Sequence, residues 1–165
     1  MSNIYTTSPT PAQEAASKAH SIFEPRFADI VSSLHSSLEE EVWFDDSDWD
    51  PAFDWTEDAD AVWHAIAEDA EELTALPPQN ANDLAQHRMS RLIARAIRSQ
   101  SLFEIDDVLA RSARCLDTAK RFCAPEIHYL LADAHECLDR MVCLAGSEIA
   151  EEEAFALPWS QSLAA

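Results

Sequence analysis

Gly146 is the only glycine in a chain of 165 residues. Tight hairpins, bulges and left-handed turns draw on glycine, which takes φ > 0 at no steric cost. A chain with one glycine has little means of turning strands back sharply, whereas its abundant alanine, leucine and glutamate suit helices. The expected class is therefore all-α. The same scarcity excludes dinucleotide fingerprints, phosphate-cradling P-loops and nucleophile elbows, each of which places glycines where backbone turns tightly or approaches a ligand.

This length suits one domain, burying roughly 70% of its unfolded surface without help from a metal or disulfide. Residues 1–20, with Pro9, Pro11 and a run of Ser and Thr, read as a flexible N-terminal tail. Residues 21–150 read as a single helical bundle domain, and 151–165 as a short acidic helix and C-terminal tail. The first twenty residues lack the basic start and apolar run of a secretory signal, and no segment is long and apolar enough to cross a membrane, so the expected location is cytoplasmic. Cys115, Cys123, Cys137 and Cys143 show no Cys-x-x-Cys spacing and are expected as reduced thiols.

Apolar periodicity places the helices. The first runs from Pro25 to about Phe44, with Phe27, Ile30, Val31, Leu34, Leu38 and Val42 on one stripe. Its last turn holds Glu39, Glu40 and Glu41, where the helix dipole favours cations; this end either frays or is held from outside. The second spans about 57–76, with Ala59, Val62, Trp63, Ile66, Ala70 and Leu73 in one sector and Glu57, Glu68, Glu71 and Glu72 opposite. Pro77 and Pro78 stop it, and Asn80 or Asn82 caps the third helix, which reaches about Ser99. Met89, Leu92, Ile93, Ala96 and Ile97 form its inner face, while Arg88, Arg91, Arg95 and Arg98 share another.

That arginine stripe is either a phosphate- or carboxylate-binding surface or the ion-pairing partner of the acidic flank of helix two; the second is expected, since the short link sets the two helices side by side. Helix four spans about 104–123, with Ile105, Val108, Leu109, Ser112, Leu116, Ala119 and Cys123 inward. Pro125 opens helix five and Gly146 is expected to close it as a C-cap. The architecture expected is an antiparallel bundle of four to five helices.

A net charge of −20 repels phosphate backbones and anionic lipid, so neither direct nucleic-acid nor membrane binding is expected. The charge is concentrated. From Glu39 to Glu72 there is no Lys or Arg, and the stretch "DDSDWDPAFDWTE" sets aromatic rings among carboxylates. Rings flanked by carboxylates fit apolar pockets rimmed by Lys or Arg. The candidate partner-binding residues are Glu39, Glu40, Glu41, Trp43, Asp45, Asp46, Asp48, Trp49, Asp50, Asp54 and Trp55. Alternatively, some of these rings cover the end of the bundle while the aspartates stay in water.

Counted from Asp46, the stretch also resembles the calcium-binding loop of the EF-hand family: Asp46, Asp48, Asp50, Asp54 and Glu57 fall at side-chain ligand positions one, three, five, nine and twelve. Pro51 occupies position six, where that pattern has glycine. Proline holds φ near −65° and the standard loop needs a positive value there, so a calcium-responsive protein with a degenerate loop is the alternative reading. In charge alone, the stretch resembles the acidic decoys among phage inhibitors of restriction and CRISPR systems, which imitate nucleic acid.

Metal and catalytic chemistry has less to rest on. His128, His135 and Asp139 share one flank of helix five, but neither Glu-x-x-His nor His-Glu-x-x-His occurs. A helical-bundle metal protein or enzyme is the second alternative. The expectation is a noncatalytic, acidic interaction protein without cofactor, an inhibitor or nucleic-acid mimic whose partner is a protein with a basic patch, such as a nucleic-acid-binding protein.

Overall fold

The computed structural model describes residues 21–45, 56–99 and 101–156, with side chains for 21–41, 60–99 and 101–145. The expected tail, 1–20, the connection 46–55 and residues 157–165 lie outside the described residues. Within them the chain forms five helices and no strand: α1 (Phe23–Asp45), α2 (Thr56–Ala75), α3 (Ala81–Ile97), α4 (Leu102–Phe122) and α5 (Pro125–Ala156). None is long and apolar enough to cross a membrane.

Each helix forms where sequence periodicity meets a start or stop signal. In α1, Phe23, Phe27, Ile30, Val31, Leu34 and Leu38 recur at three- and four-residue steps and are all buried. Pro25 falls in the first turn, where a missing N–H leaves no intrahelical bond unmade. Asn80 caps α3, its side chain accepting a hydrogen bond from the Asp83 N–H at 2.9 Å. Ser101 caps α4, and Lys120 and Arg121 occupy its last turn, where the dipole favours cations.

Two polar side chains of α3 lock the starts of the helices together. The Asp83 carboxylate accepts from the Gln79 N–H at 3.0 Å, so the residue capped by Asn80 in turn holds the chain just before the cap. It also accepts from the Ser21 hydroxyl at 2.5 Å, which ties the entry of α1 to α3. Asn82 Oδ1 accepts from the Ala124 N–H at 3.0 Å and pins the α4–α5 turn to the same place.

α3 contacts all four other helices. Met89 and Ile93 are fully buried among Phe27, Leu34, Leu38, Leu73, Leu131 and Leu138; each such side chain stabilises the fold by about 1.5–3 kcal/mol relative to exposure.

Two expectations are corrected. Val62 is 45% exposed, while Ala67, unassigned by periodicity, is fully buried. The buried arc of α2 is displaced towards Ala67 because α2 packs most extensively against α3; both helices carry small buried residues, Ala67 and Ala70 on α2 and Ala94 and Ala96 on α3, which permit a close approach. Gly146 is not a C-cap either. α5 continues through it to Ala156, and no glycine takes a positive φ. A glycine inside a helix costs about 1 kcal/mol, and the Ala- and Glu-rich residues after it outweigh that cost. The acidic segment expected as a separate helix begins within α5.

Gln86 is fully buried on α3, and neither its amide nitrogen nor its oxygen has a hydrogen-bond partner in the protein. Leaving such a group unsatisfied costs about 1–3 kcal/mol. Gln86→Met is therefore expected to raise unfolding stability by about that amount in urea titration, whereas Leu131→Ala should lower it by about 2–5 kcal/mol. A destabilised Gln86→Met variant would show that the amide is bonded in solution.

Candidate functional site

The end of α1 that carries three successive glutamates is held from outside. Glu39 and Glu40 are exposed and Glu41 is half-buried. The indole N–H of Trp63, on α2, donates to Glu41 Oε1 at 2.7 Å. This charge-assisted bond satisfies the one polar group of a partly buried tryptophan and fixes the end of α1 against α2. Both halves were visible in the sequence, Trp63 as a core-facing ring and Glu41 as one of the acidic run; their pairing was not. Arg26, near the start of α1, reaches Glu72 near the end of α2 at 3.7 Å, an exposed pair worth at most about 1 kcal/mol.

Beside Trp63 opens a groove of about 650 Å³ to which all five helices contribute. Ile97, Ile105, Met141 and Leu144 join Trp63 as its large apolar walls, and Glu41, Asp60, His64, Arg98 and Ser99 are the polar groups. Arg98 is ion-paired with Glu71. Asp60 is exposed, which leaves the groove mouth with carboxylate character. An apolar groove edged by carboxylates suits an apolar side chain flanked by Lys or Arg.

α5 adds to this end. It has 32 residues against 21 in α4, and both helices leave the Cys123–Ala124 turn, so α5 outruns α4 by about three turns. The sequence of that extension includes Glu148, Glu151, Glu152 and Glu153.

The other residues expected to bind a partner are distributed as follows. Trp43 and Asp45 belong to the last turn of α1. Asp46, Asp48, Trp49, Asp50, Asp54 and Trp55 lie outside the described residues. So do four of the five calcium-loop positions; the fifth, Glu57, is in the first turn of α2. Helices do stand on both sides of that loop, α1 ending at Asp45 and α2 beginning at Thr56.

The arginine stripe is exposed along its length, but only part of it pairs with helix two as expected. Arg98 bonds Glu71 of α2, whereas Arg95 turns to Asp107 of α4 at 3.2 Å. Arg88 and Arg91 make no ion pair with a described residue. The cause lies in α3 having acidic neighbours on two sides, while the short α2–α3 link drew attention to one.

Sequence periodicity put Ser112 inward on α4 and His135 on the flank of α5, and the structure joins them: Ser112 Oγ lies 2.7 Å from His135 Nδ1. The same hydroxyl donates to the Leu109 carbonyl at 2.7 Å. Both bonds coexist when Nδ1 carries the proton and donates to Oγ. Asp139 follows His135 by one turn, so the residue types of a hydrolase triad are near one another. Ser112 is fully buried and already donates its proton to backbone. It has no approach for a substrate carbonyl, and the pair serves as a tie between α4 and α5.

No group of three His, Cys, Asp or Glu among the described residues is placed to hold a metal ion. His128 instead sets its ring edge-on to Tyr129, with centroids 6.3 Å apart. All four cysteines are free; Cys137 is buried and Cys143 exposed. Burial pushes the Cys115 and Cys123 thiols above their usual range and Cys137 up to about 11, which keeps these sulfurs protonated and poorly nucleophilic.

A thiol reagent is therefore expected to label Cys143 first and Cys137 only on unfolding; early modification of Cys137 would contradict the packing. Because folding raises the Cys137 pKa, the unfolded chain loses that proton first. The contribution of this group to stability is intact below about pH 9 and is lost as pH rises towards about 11. In Cys137→Ala, alkaline denaturation curves should lack that component.

Compared with protein-family models, with curated proteins and with solved structures, the chain matches none.

Proposed function

We propose that this chain is a noncatalytic interaction protein that binds a basic macromolecular partner through the acidic, aromatic end of an antiparallel helical scaffold. The observation that carries this reading is the Glu41–Trp63 bond. It joins the acidic end of α1 to an apolar groove, so that charge for steering and an apolar seat for an anchor lie side by side. The sequence supports it further: the 46–55 connection, with its aspartates and aromatic rings, runs between the two helices that this bond clamps.

The partner is a protein with a basic patch, of the kind that otherwise holds nucleic acid. Binding there occupies the groove in place of the nucleic acid and makes the chain an inhibitor. With a net charge of −20, direct binding to nucleic acid or to anionic lipid is disfavoured, and a cytoplasmic setting fits such a partner.

Affinity capture from the native host, eluted with salt, tests this reading. Replacing Asp46, Asp48, Asp50 and Asp54 together by Asn should reduce recovery of the salt-eluted partner by about tenfold or more, since removing several steering charges lowers association rate and complementarity. Thermal unfolding of the variant should remain close to that of the parent. Undiminished recovery would remove the acidic connection from the mechanism.

A further inference from the structure

Eight of the eleven Lys and Arg residues, but only four of the thirty-one acids, lie between positions 88 and 121. That stretch, most of α3 and α4, carries +4 and the remainder of the chain −24. Seven of the eight are arginines, and six of these fall in two sets, Arg88, Arg91, Arg95 and the C-cap Arg98 along α3 and Arg111 and Arg114 on α4, all six exposed.

Asp107 shows that the two sets meet. Its Oδ2 accepts from Arg111 Nε at 2.8 Å and lies 3.2 Å from Arg95 Nη1, and it also feels the charge of Arg114. One carboxylate thus lies within the field of three guanidinium groups, and Arg91 stands one turn from Arg95 without an ion-pair partner among the described residues. Arg91, Arg95 and Arg98 line a groove of about 420 Å³ together with Thr74 and Ser99. Glu71 and Glu104 line it as well, Glu71 paired with Arg98 and Glu104 setting a carboxylate on the α4 side, so Arg91 and Arg95 are the arginines left to meet a ligand.

From this arrangement the geometry points to a second site, an anion-binding groove on the α3–α4 face that takes a small, multiply charged oxyanion between Arg91 and Arg95. Guanidinium forks match the planar pairs of oxygens on phosphate and carboxylate groups, which ammonium groups do not. The groove falls in the roughly 300–1,000 Å³ range of small-ligand sites. Size also decides against a long polyanion, which would extend beyond this face onto the acidic remainder of the surface. A compact anion stays within a Debye length, about 8 Å at physiological ionic strength, of the arginines and is screened from the distant carboxylates. Asp107 is the competitor for this ligand, since it already occupies Arg95 and Arg111. This groove shares Arg98 and Ser99 with the one at the acidic end, but Arg91 and Arg95 line it alone, and the proposal does not depend on what binds at the acidic end.

The test is an NMR titration of the full-length protein with inorganic pyrophosphate and, in a second arm, with citrate, following the arginine Nε–H signals against sodium chloride at matched ionic strength. Saturable shifts of the Arg91 and Arg95 signals are expected, and the tighter arm identifies the anion as phosphate or carboxylate. Arg91→Gln should weaken binding at least about tenfold, the loss of one charge-assisted contact. Asp107→Asn should tighten it, and Arg121→Gln, at the far end of α4, should leave it unchanged. Two results would overturn the site: shifts no larger than those with sodium chloride, or equal affinity in the parent and Arg91→Gln. The Asp107 variant separates binding from stability, because loss of an ion-pair hub predicts no gain in affinity.

Discussion

The burial of α3 is the constraint on which the rest of the described structure depends. It touches every other helix, so its small residues set how closely α2 approaches, Asp83 holds the entry of α1, and Asn82 holds the turn where α4 ends and α5 begins. A central helix normally reads as apolar all round. This one carries four arginines and a buried glutamine. It manages both because its core face is narrow, with Met89 and Ile93 at the centre and alanines at the sides, while the arginines extend outwards past it. Gln86 is the exception, a polar group kept at the hub at a cost in stability.

This packing also separates charge. α1 and α2 bring glutamates and aspartates to one end, where Trp63 secures Glu41, and α3 and α4 collect most of the arginines. A molecule with −20 overall therefore has a surface of two characters. At the acidic end the charge borders an apolar groove, the combination that favours a basic macromolecule with an apolar anchor. On the α3–α4 face Asp107 draws together arginines from two helices, and local field rather than net charge governs what a small ligand meets. The buried Ser112–His135 pair shows how residue types alone mislead, since triad chemistry needs an accessible nucleophile and this hydroxyl has no exposure.

Helix number and position were readable because periodicity, prolines and the Asn80 cap all act locally. Phe27, Leu34, Leu38, Met89 and Ile93 fall in the core by spacing alone, and burial of all five follows from the same spacing. What sequence missed required knowledge of neighbours. Val62 and Ala67 lie on opposite edges of the apolar sector of α2, and only the approach of α3 decides that Ala67 is covered and Val62 is not. Gly146 reads as a C-cap, but the helix-forming residues beyond it carry α5 through. Arg95 had two acidic flanks to choose from, and nothing local favours Asp107 over α2. The candidate site was legible in part: the acidic run was plain, but the groove beside it is made by residues as far apart as Trp63, Ile97 and Leu144, which no single stretch reveals.

The central claim is that the acidic end of the helices is where this protein meets its macromolecular partner. Hydrogen exchange of the full chain, alone and with the salt-eluted partner, tests it most directly. The account predicts slowed exchange across residues 39–64, with the amides of Arg88, Arg91 and Arg114 unchanged. Protection confined to α3 and α4, with none at residues 39–64, would contradict it.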